Sequence, residues 1–457
     1  MIINPAIFGD YDIRAVYGID LDASGVEKIA KALTLIYKPK KIVVGRDMRL
    51  SGEEIFLILA KTFISSAVEV TDLGLVTTDM VYYAAGRYNP DLGIMISASH
   101  NPAQYNGFKI VKKGAVAISG DSGIYKIRDL CLKSNWQLKP SVKTGKLVKK
   151  DLYREWLDFC FSKVDTSKIE PLKVVIDAGN GMGSEIIKRI GPRLPIKIIP
   201  LFFELDGRFP NHVPNPLKIE NLGDLIKKVK ETRANLGVAF DGDADRISFI
   251  DETGRLVNGT ITTAILSEII LKKYPGSTVL YNAVCGRVVP ETIEKNGGKP
   301  MRVRVGHTLI KEAMRKYNGR FCGEHSGHYY YKDTYFSESA LLTFLLMLEF
   351  VSGKGQKLSQ LVKKYDLYPQ SGEINFKVTD KQGLMEKIGK IYKPRAKSID
   401  WLDGLSVWFD NFWFNLRPSN TEPLVRLNVE ADNQAILDSK TKILKKEILS
   451  FGASLEN

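Results

Sequence analysis

The sequence predicts an α/β protein with three similar α/β domains and a smaller C-terminal α+β domain. Short β-branched runs alternate with helix-length amphipathic stretches over the first three-quarters of the chain, a pattern typical of helices packed on sheets. An apolar strand, a glycine-containing turn and a helical segment recur in that order three times, beginning at Lys41, Lys173 and Thr278. A chain of 457 residues is also too long for one hydrophobic core.

Changes in composition place the domain boundaries. The polar, lysine-rich stretch 139–150 is typical of a linker, a turn follows Asp251, and the pattern changes again near Tyr365. Short strands and a helix from Asn433 onward then indicate the small α+β domain. We predict domains over residues 1–150, 151–254, 255–366 and 367–457.

Composition predicts a globular protein of the cytoplasm. Hydrophobic residues make up 44% and charged residues 26% of the chain, which is ordinary for a globular protein. The longest apolar run, 340–351, is too short to span a bilayer and contains Glu349, so we expect a buried helix and no membrane partner. The first residues do not resemble a signal peptide. Four scattered cysteines without a C-x-x-C pair indicate reduced thiols.

The net charge of +14 raises the question of a nucleic-acid partner. The lysines, however, lie in short pairs, and the sequence contains neither a long basic run nor a nucleic-acid motif. This distribution favours a solvated surface and no nucleic acid. A basic field would also attract an anionic substrate.

The first chemical motif surrounds Ser99, which follows an apolar strand and precedes His100 and Asn101. A serine at a strand end is exposed to substrate, but it is a nucleophile only when a base or a cation activates it. Lys109 on the next strand would supply an ammonium for proton transfer or charge stabilisation. A plain capping loop with a surface lysine is the alternative.

The second motif places Asp241, Asp243 and Asp245 at alternate positions of a loop that contains Gly242. Three adjacent carboxylates repel one another unless a cation neutralises them, and such a loop can converge on one hard metal ion. An EF-hand is excluded because its sixth position, which requires glycine, holds Arg246, and because strands flank the loop. A purely structural turn is the alternative.

The third motif contains Glu324, Ser326 and His328. A carboxylate beside a hydroxyl suits vicinal sugar hydroxyls, because each of these groups donates and accepts hydrogen bonds. His325 and His328 would also have the spacing of metal ligands. The aspartate loop, however, offers the better oxygen site for a hard ion.

The fourth motif is an arginine-bearing turn with the features of a phosphate cradle. Its members are Arg417, Ser419, Asn420, Thr421 and Arg426. Guanidinium, hydroxyl, amide and backbone N–H groups all bind phosphate oxygens. The segment lacks the spacing of a P-loop. A turn that merely solvates a domain edge is the alternative.

These four motifs, in this order, resemble the signature loops of the α-D-phosphohexomutase superfamily, above all of its phosphomannomutase/phosphoglucomutase members. The matching segments are Ala98-SHNP, Asp241-GDADR, Gly323-EHSGH and Arg417-PSNTEP. An N-terminal segment beginning at Phe8 also matches, so the resemblance covers the whole chain. It implies three similar α/β domains and a smaller fourth around a central cleft.

The resemblance also implies a role for each matching residue. Ser99 would carry the phosphoryl group, and Asp241, Asp243 and Asp245 would hold Mg²⁺ together with an oxygen of Ser99. Lys109, Arg246 and His307 would be catalytic. The substrate-binding residues would be Tyr11, Arg14, His100, Glu324, Ser326, His328, Arg417, Ser419, Asn420, Thr421 and Arg426.

The implied activity is interconversion of hexose 1-phosphate and hexose 6-phosphate, with mannose or glucose as the sugar, in a monomer or homodimer. Hexose 1,6-bisphosphate would be both intermediate and activator. Val284 stands where several bacterial relatives carry a lysine, so phosphoglucosamine and phosphopentose remain alternative substrates. A polyanion-binding protein on an inactive scaffold, and a phosphatase that uses Asp241, are the alternatives from other classes.

Overall fold

The structure is a computed structural model that describes residues 2–134, 136–138, 141–353, 355–419 and 423–456. The chain divides into two compact units. The first comprises Met1–Asn258, His307–Phe321 and Ser326–Leu361. The second comprises Gly259–Gly306, Cys322–His325 and Val362–Asn457. Within the described ranges, no helix is long and apolar enough to cross a membrane.

A seven-stranded sheet forms from the first part of unit one. Its central strand Lys41–Arg46 is parallel to both neighbours, Glu69–Leu75 and Leu92–Ile96. Ile42, Val43 and Val44 are all buried, as expected for a strand covered on both faces. The other strands are Ile13–Val16, Tyr105–Lys112, Val116–Ala117 and Leu147–Lys149, and the helices are Ala23–Tyr37, Gly52–Ser65, Thr78–Arg87 and Tyr125–Leu132.

Helix Ala23–Tyr37 illustrates how the sequence sets these helices. Asp22 caps its N-terminus by accepting a hydrogen bond from the backbone N–H of Gly25 at 2.7 Å. Val26, Ile29 and Leu33 recur at helical spacing and are buried against the sheet, in the core that also contains Ile42 and Val44. A left-handed Lys38 ends the helix.

A five-stranded sheet forms from the second part of unit one. Its strand Leu236–Phe240 is parallel to Leu172–Asp177 and antiparallel to Ile247–Asp251. The remaining strands are Ile196–Leu201 and Leu256–Val257, and the helices are Tyr153–Phe161, Gly183–Ile190 and Gly223–Thr232. The aspartate loop therefore joins two neighbouring strands.

The rest of unit one contains a buried helix and a short hairpin. Helix Ala340–Ser352 is buried along almost its whole length, which confirms the interpretation of the apolar run. Strands Tyr329–Tyr331 and Ser337–Glu338 pair antiparallel. The other helices that begin in this unit are His307–Lys316 and Leu358–Val362.

Unit two combines α/β elements with an antiparallel sheet. Strands Thr278–Asn282 and Lys299–Val303 are parallel, and helices Gly259–Lys273 and Val288–Lys295 accompany them. A six-stranded sheet follows, made of Ile374–Lys377, Ser398–Asp400, Leu405–Trp408, Phe412–Pro418, Leu424–Ala431 and Ser454–Leu455. Its helices are Lys381–Tyr392 and Gln434–Ser450, and strand Phe321–Gly323 supplies residues to both units.

Two further expectations concern the cysteines and the boundaries. All four cysteines are free and buried, so their thiols are withdrawn from solvent. The C-terminal helix begins where predicted, with Asn433 as its cap. The domain boundaries near residues 150, 254 and 366 remain a prediction, because the compact units divide the chain differently.

A buried ion pair lies inside unit one. Lys311 and Glu338 have side chains only 1% exposed, and the ammonium lies 2.8 Å from one carboxylate oxygen. The same ammonium lies 3.7 Å from the centre of the Tyr82 ring. Burial lowers the pKa of Lys311, and the Glu338 carboxylate opposes that effect. Helix His307–Lys316 is thereby fixed to the strand that bears Glu338 and to the helix that bears Tyr82.

We predict that Lys311→Met destabilises the protein by about 3–5 kcal/mol, because it leaves Glu338 charged and buried without its cation. The double variant Lys311→Met/Glu338→Leu should recover most of this loss, since both charges are then removed. Urea unfolding followed by tryptophan fluorescence measures both. A double variant as unstable as the single one would contradict the charge argument.

Candidate active site

Ser99 lies in the loop that follows strand Leu92–Ile96, and its side chain meets the aspartate loop. Its backbone is left-handed, with φ 51°, and the residue is only 1% exposed. The backbone N–H donates to Ser97 Oγ at 2.8 Å. Its hydroxyl donates to Asp241 Oδ2 at 2.8 Å and lies 3.1 Å from His100 Nδ1. Two residues predicted from separate motifs are therefore in direct contact.

The three aspartates converge as predicted. One carboxylate oxygen from each of Asp241, Asp243 and Asp245 lies within 4.8 Å of the others. The loop is held from within, because the other oxygen of Asp241 accepts the backbone N–H groups of Asp245 and Arg246, each at 3.0 Å. A Cβ at Gly242 would lie 2.6 Å from the Ser99 carbonyl oxygen, so only glycine allows the two loops to approach this closely.

Lys109 neutralises part of this negative charge. Its ammonium lies 2.6 Å from Asp243 Oδ2 and 2.6 Å from Asp245 Oδ2, and the side chain is 4% exposed. Burial lowers the pKa of Lys109, but the three carboxylates outweigh it and raise the pKa above its ordinary value. Burial, followed by the charges of Asp245 and Asp243, raises the pKa of Asp241.

The aspartate cluster fits a hard divalent cation. The Oδ1 atom of Asp243 is buried and accepts no hydrogen bond from the described residues, and Asp245 Oδ1 is buried with His328 Nε2 at 3.4 Å. Buried carboxylate oxygens without a donor are costly unless a cation binds them. Mg²⁺ and Ca²⁺ prefer oxygen ligands of this kind.

Arg246 and His328 border the cluster. The Arg246 Nε lies 3.0 Å from His328 Nε2 and 3.8 Å from Asp241 Oδ2. His328 Nε2 is also 3.4 Å from Asp245 Oδ1, and its other ring nitrogen is 3.2 Å from Ser326 Oγ. His328 of the third motif therefore contacts Arg246 and Asp245 of the second motif, which lie more than eighty positions earlier in the chain.

Tyr11, Arg14 and His307 also lie in unit one. The rings of Tyr11 and His307 meet edge to face with centroids 5.9 Å apart. Both ring nitrogens of His307 are buried and have no hydrogen-bond partner among the described residues. Burial, and then the nearby charges of Lys311 and other cations, lowers the pKa of His307 well below its ordinary value. Arg14 donates to the Asn101 side chain beside Ser99.

The remaining site residues lie in unit two. Glu324 is 2% exposed, and the Asn282 amide approaches it at 3.5 Å. Arg417 and Arg426 face each other on paired strands. Arg426 donates to Ser419 Oγ at 3.4 Å. Asn420 and Thr421 fall outside the described residues.

Sequence reasoning missed three residues that the structure brings to these sites. Thr78 donates its hydroxyl to Asp243 Oδ2 at 2.5 Å, and Arg49 bonds the Ser99 loop. Glu373 lies 3.2 Å from Arg417 and 3.6 Å from Arg426, so one carboxylate offsets part of the charge of the two arginines. In the sequence, Thr78 belongs to a Thr-Thr-Asp run at a helix start, and Arg49 follows Asp47 after a strand. Both are weak signals of a functional site, because such residues usually serve as helix caps.

The chain matches family models for four consecutive domains of phosphoglucomutase/phosphomannomutase. They are α/β/α domain I over residues 5–136, domain II over 153–254, domain III over 258–368 and the C-terminal domain over 373–441. A phosphomannomutase of Methanocaldococcus jannaschii is 37% identical over 98% of this chain and 99% of its own length. A protein of Xanthomonas campestris named for phosphohexose mutases is 38% identical over 95% of this chain and 97% of its own.

Among solved structures, the chain is similar to that of a phosphoglucomutase/phosphomannomutase family protein from Burkholderia thailandensis. The two share 30% identity with a TM-score of 0.90. The match covers 99% of this chain and all of the other. Similarity therefore extends over the whole length at the levels of sequence and fold.

The buried carboxyl of Asp79, near the aspartate loop, should make the free energy of unfolding depend on pH. It lies one residue after Thr78, is 1% exposed, and accepts hydrogen bonds from Ser339 Oγ at 2.9 Å and from Thr77. Burial raises the pKa of Asp79 to about 7 against the opposing effect of these hydroxyls. A carboxyl whose pKa is higher in the folded than in the unfolded protein stabilises the fold fully below about pH 4. This contribution is lost as the pH rises through about 7.

We expect the free energy of unfolding of Asp79→Asn, relative to wild type, to increase between about pH 4 and 7 by about 4 kcal/mol and then level off. Urea unfolding at several pH values measures this difference. The matched control is Asp129→Asn, which removes an exposed carboxylate in place of a buried one. Parallel curves for Asp79→Asn and wild type would refute the prediction.

Proposed function

The chain belongs to the phosphoglucomutase/phosphomannomutase family, and on that premise we propose that it transfers a phosphoryl group between the C1 and C6 hydroxyls of a hexose through Ser99. Membership confirms the resemblance and the fold class that the four motifs predicted: three α/β domains and a smaller C-terminal one. The protein is a hexose phosphate mutase, an isomerase.

The observation that carries the proposed role of Ser99 is its contact with the aspartate cluster. A serine hydroxyl 2.8 Å from a buried carboxylate, beside a cluster of three carboxylates that would hold a cation, is suited to carry a phosphoryl group. Asp241, Asp243 and Asp245 would hold Mg²⁺ with Ser99. Bound there, the ion would neutralise charge on the phosphoryl oxygens.

The surrounding cations and histidines would assist the transfer. When the Ser99 Oγ–P bond breaks and the sugar oxygen–P bond forms, the sugar hydroxyl loses a proton and the Ser99 oxygen regains one. We assign proton transfer to His307, since its uncharged ring has two nitrogens without partners among the described residues. Lys109 and Arg246 stabilise negative charge as cations, because both lie beside the cluster. Tyr11, Arg14, His100 and His328 bind substrate.

The sugar and the second phosphate would bind through the third and fourth motifs. Glu324 and Ser326 suit sugar hydroxyls. Arg417 and Arg426, with Ser419, suit the phosphate that does not react, and the predicted partners Asn420 and Thr421 lie outside the described residues. The substrate is a phosphorylated hexose, with mannose or glucose preferred, and hexose 1,6-bisphosphate is the intermediate and activator. Glucosamine and pentose phosphates remain the alternative substrates.

A coupled assay tests this function. With Mg²⁺ and a trace of glucose 1,6-bisphosphate, the wild type should convert glucose 1-phosphate and mannose 1-phosphate to their 6-phosphates. Ser99→Ala should lose at least about 99.9% of this activity, because no acceptor remains for the phosphoryl group. Ser65→Ala, at an exposed helix end, is the matched control and should retain full activity. If the Ser99→Ala variant still releases inorganic phosphate from the sugar phosphates, the result would instead indicate a phosphatase that uses Asp241.

The metal site has its own test. Removing one carboxylate from the cluster should weaken Mg²⁺ binding roughly tenfold or more, since affinity depends on the number of charged oxygen ligands. Isothermal titration of Asp243→Asn with Mg²⁺ measures this without turnover. Asp224→Asn, on an exposed helix start, serves as the control and should bind as the wild type does. Equal affinity in Asp243→Asn would place the metal elsewhere.

A further inference from the structure

Arg49 binds the backbone of the Ser99 loop at four points. Its Nη2 donates to the carbonyl oxygens of Ser99 at 2.8 Å and Asn101 at 2.6 Å. Its Nη1 donates to those of Pro102 and Tyr105, both at 2.8 Å. One guanidinium thus satisfies four backbone acceptors within a seven-residue span. A planar fork with several N–H donors can do this, whereas an ammonium on a flexible stem has no equivalent fixed geometry.

The guanidinium is held rigidly in turn. Arg49 is 3% exposed, and its Nε lies 3.3 Å from Asp47 Oδ2. The other oxygen of Asp47 accepts the Arg49 backbone N–H at 3.0 Å. A buried guanidinium is costly unless it is paired and hydrogen-bonded, and Arg49 meets both conditions. Keeping the guanidinium charge inside the protein therefore costs desolvation free energy, which a solvent-exposed arginine would not lose.

The carbonyl of Ser99 is fixed on two sides. Arg49 donates to it on one side, and the backbone of Gly242 packs against it on the other, where a Cβ would come within 2.6 Å. Ser99 has a left-handed backbone, which costs about 1–2 kcal/mol for a residue with a Cβ. Contacts to the surrounding backbone must supply that energy. In this conformation the Ser99 hydroxyl reaches Asp241.

Residues 207–209, from the part of unit one that contains the five-stranded sheet, also pack on Arg49. The Phe209 ring centre lies 5.0 Å from the guanidinium carbon. A Cβ at Gly207 would lie 2.7 Å from the Arg49 Cα, so this segment packs closely on the Arg49 backbone as well. Arg49 therefore connects the Ser99 loop with the part of unit one that contains the aspartate loop.

We propose that Arg49 is a positioning residue that fixes the Ser99 backbone so that the hydroxyl faces the aspartate cluster. The proposal rests on the proposed role of Ser99 as phosphoryl acceptor. Arg49 touches neither the transferred group nor the cluster, and it acts through the carbonyl of Ser99. Its loss should slow phosphoryl transfer while leaving binding of the sugar phosphate unchanged.

Single-turnover transfer tests the proposal. Dephosphorylated enzyme is mixed with glucose 1,6-bisphosphate and Mg²⁺, and phosphorylation of Ser99 is followed by rapid quench and mass spectrometry. Arg49→Lys keeps the charge but loses the fork, so transfer should slow roughly 10- to 100-fold, as expected for a misplaced reacting group. The KM for glucose 1-phosphate should stay within about threefold of the wild-type value, because uniform substrate binding is retained.

Arg46→Lys is the matched control. Arg46 ends the strand that precedes Arg49, pairs with Asp72 at 3.0 Å and lies over the Phe56 ring, and no described contact joins it to the Ser99 loop. This variant should lower the melting temperature and leave the transfer rate unchanged. Equal transfer rates in Arg49→Lys and Arg46→Lys would overturn the positioning role, because loss of fold stability would then account for both.

Two further outcomes separate the proposals. If wild-type Ser99 is never phosphorylated, the proposed function fails, and the role of Arg49 fails with it. If the wild type is phosphorylated and Arg49→Lys matches it, only the positioning role fails. Should Arg49→Lys not fold, Phe209→Leu decides: it keeps the arginine but removes the ring beneath it, and transfer must slow measurably for the proposal to survive.

Discussion

Mutual repulsion of three buried carboxylates is the constraint on which unit one depends. Asp241, Asp243 and Asp245 lie in a loop of five residues with almost no exposure to water. In such surroundings their repulsion is several times stronger than in solvent, so nearby groups must offset it. Lys109 does so with two contacts of 2.6 Å, and backbone N–H groups of the loop add to its effect. Asp243 Oδ1 has no donor among the described residues, and a divalent cation bound beside it would complete the balance.

Unit two presents the opposite charge problem and a corresponding solution. Arg417 and Arg426 lie opposite each other on paired strands, and two adjacent guanidinium groups would repel one another. Glu373 lies close to both and offsets part of their charge within the protein. Each unit therefore brings together like charges that suit a ligand of opposite sign, and each contains an internal partner that stabilises the site before the ligand arrives. The proposed metal-dependent transfer to a phosphorylated sugar would use both kinds of site.

Buried polar groups recur in unit one where elements from distant parts of the chain meet. Lys311 with Glu338, Asp79 with Ser339, and Arg49 with the Ser99 loop each join segments far apart in sequence. Apolar residues of similar volume would usually give a more stable core at such positions. Their directional bonds, however, fix orientation, and phosphoryl transfer is sensitive to displacements of about an ångström.

The amino-acid sequence by itself determined the α/β class, the smaller terminal domain, the aspartate cluster and the serine loop, because local periodicity and short spacings follow directly from backbone geometry. It also identified the arginine turn, although Asn420 and Thr421 lie outside the described residues. Only the tertiary structure decided that Ser99 bonds Asp241, that His328 meets Arg246, and that Arg49 and Glu373 belong to these sites. These pairs are separated by 44 to 142 residues, and folding alone brings such distant side chains within hydrogen-bonding reach.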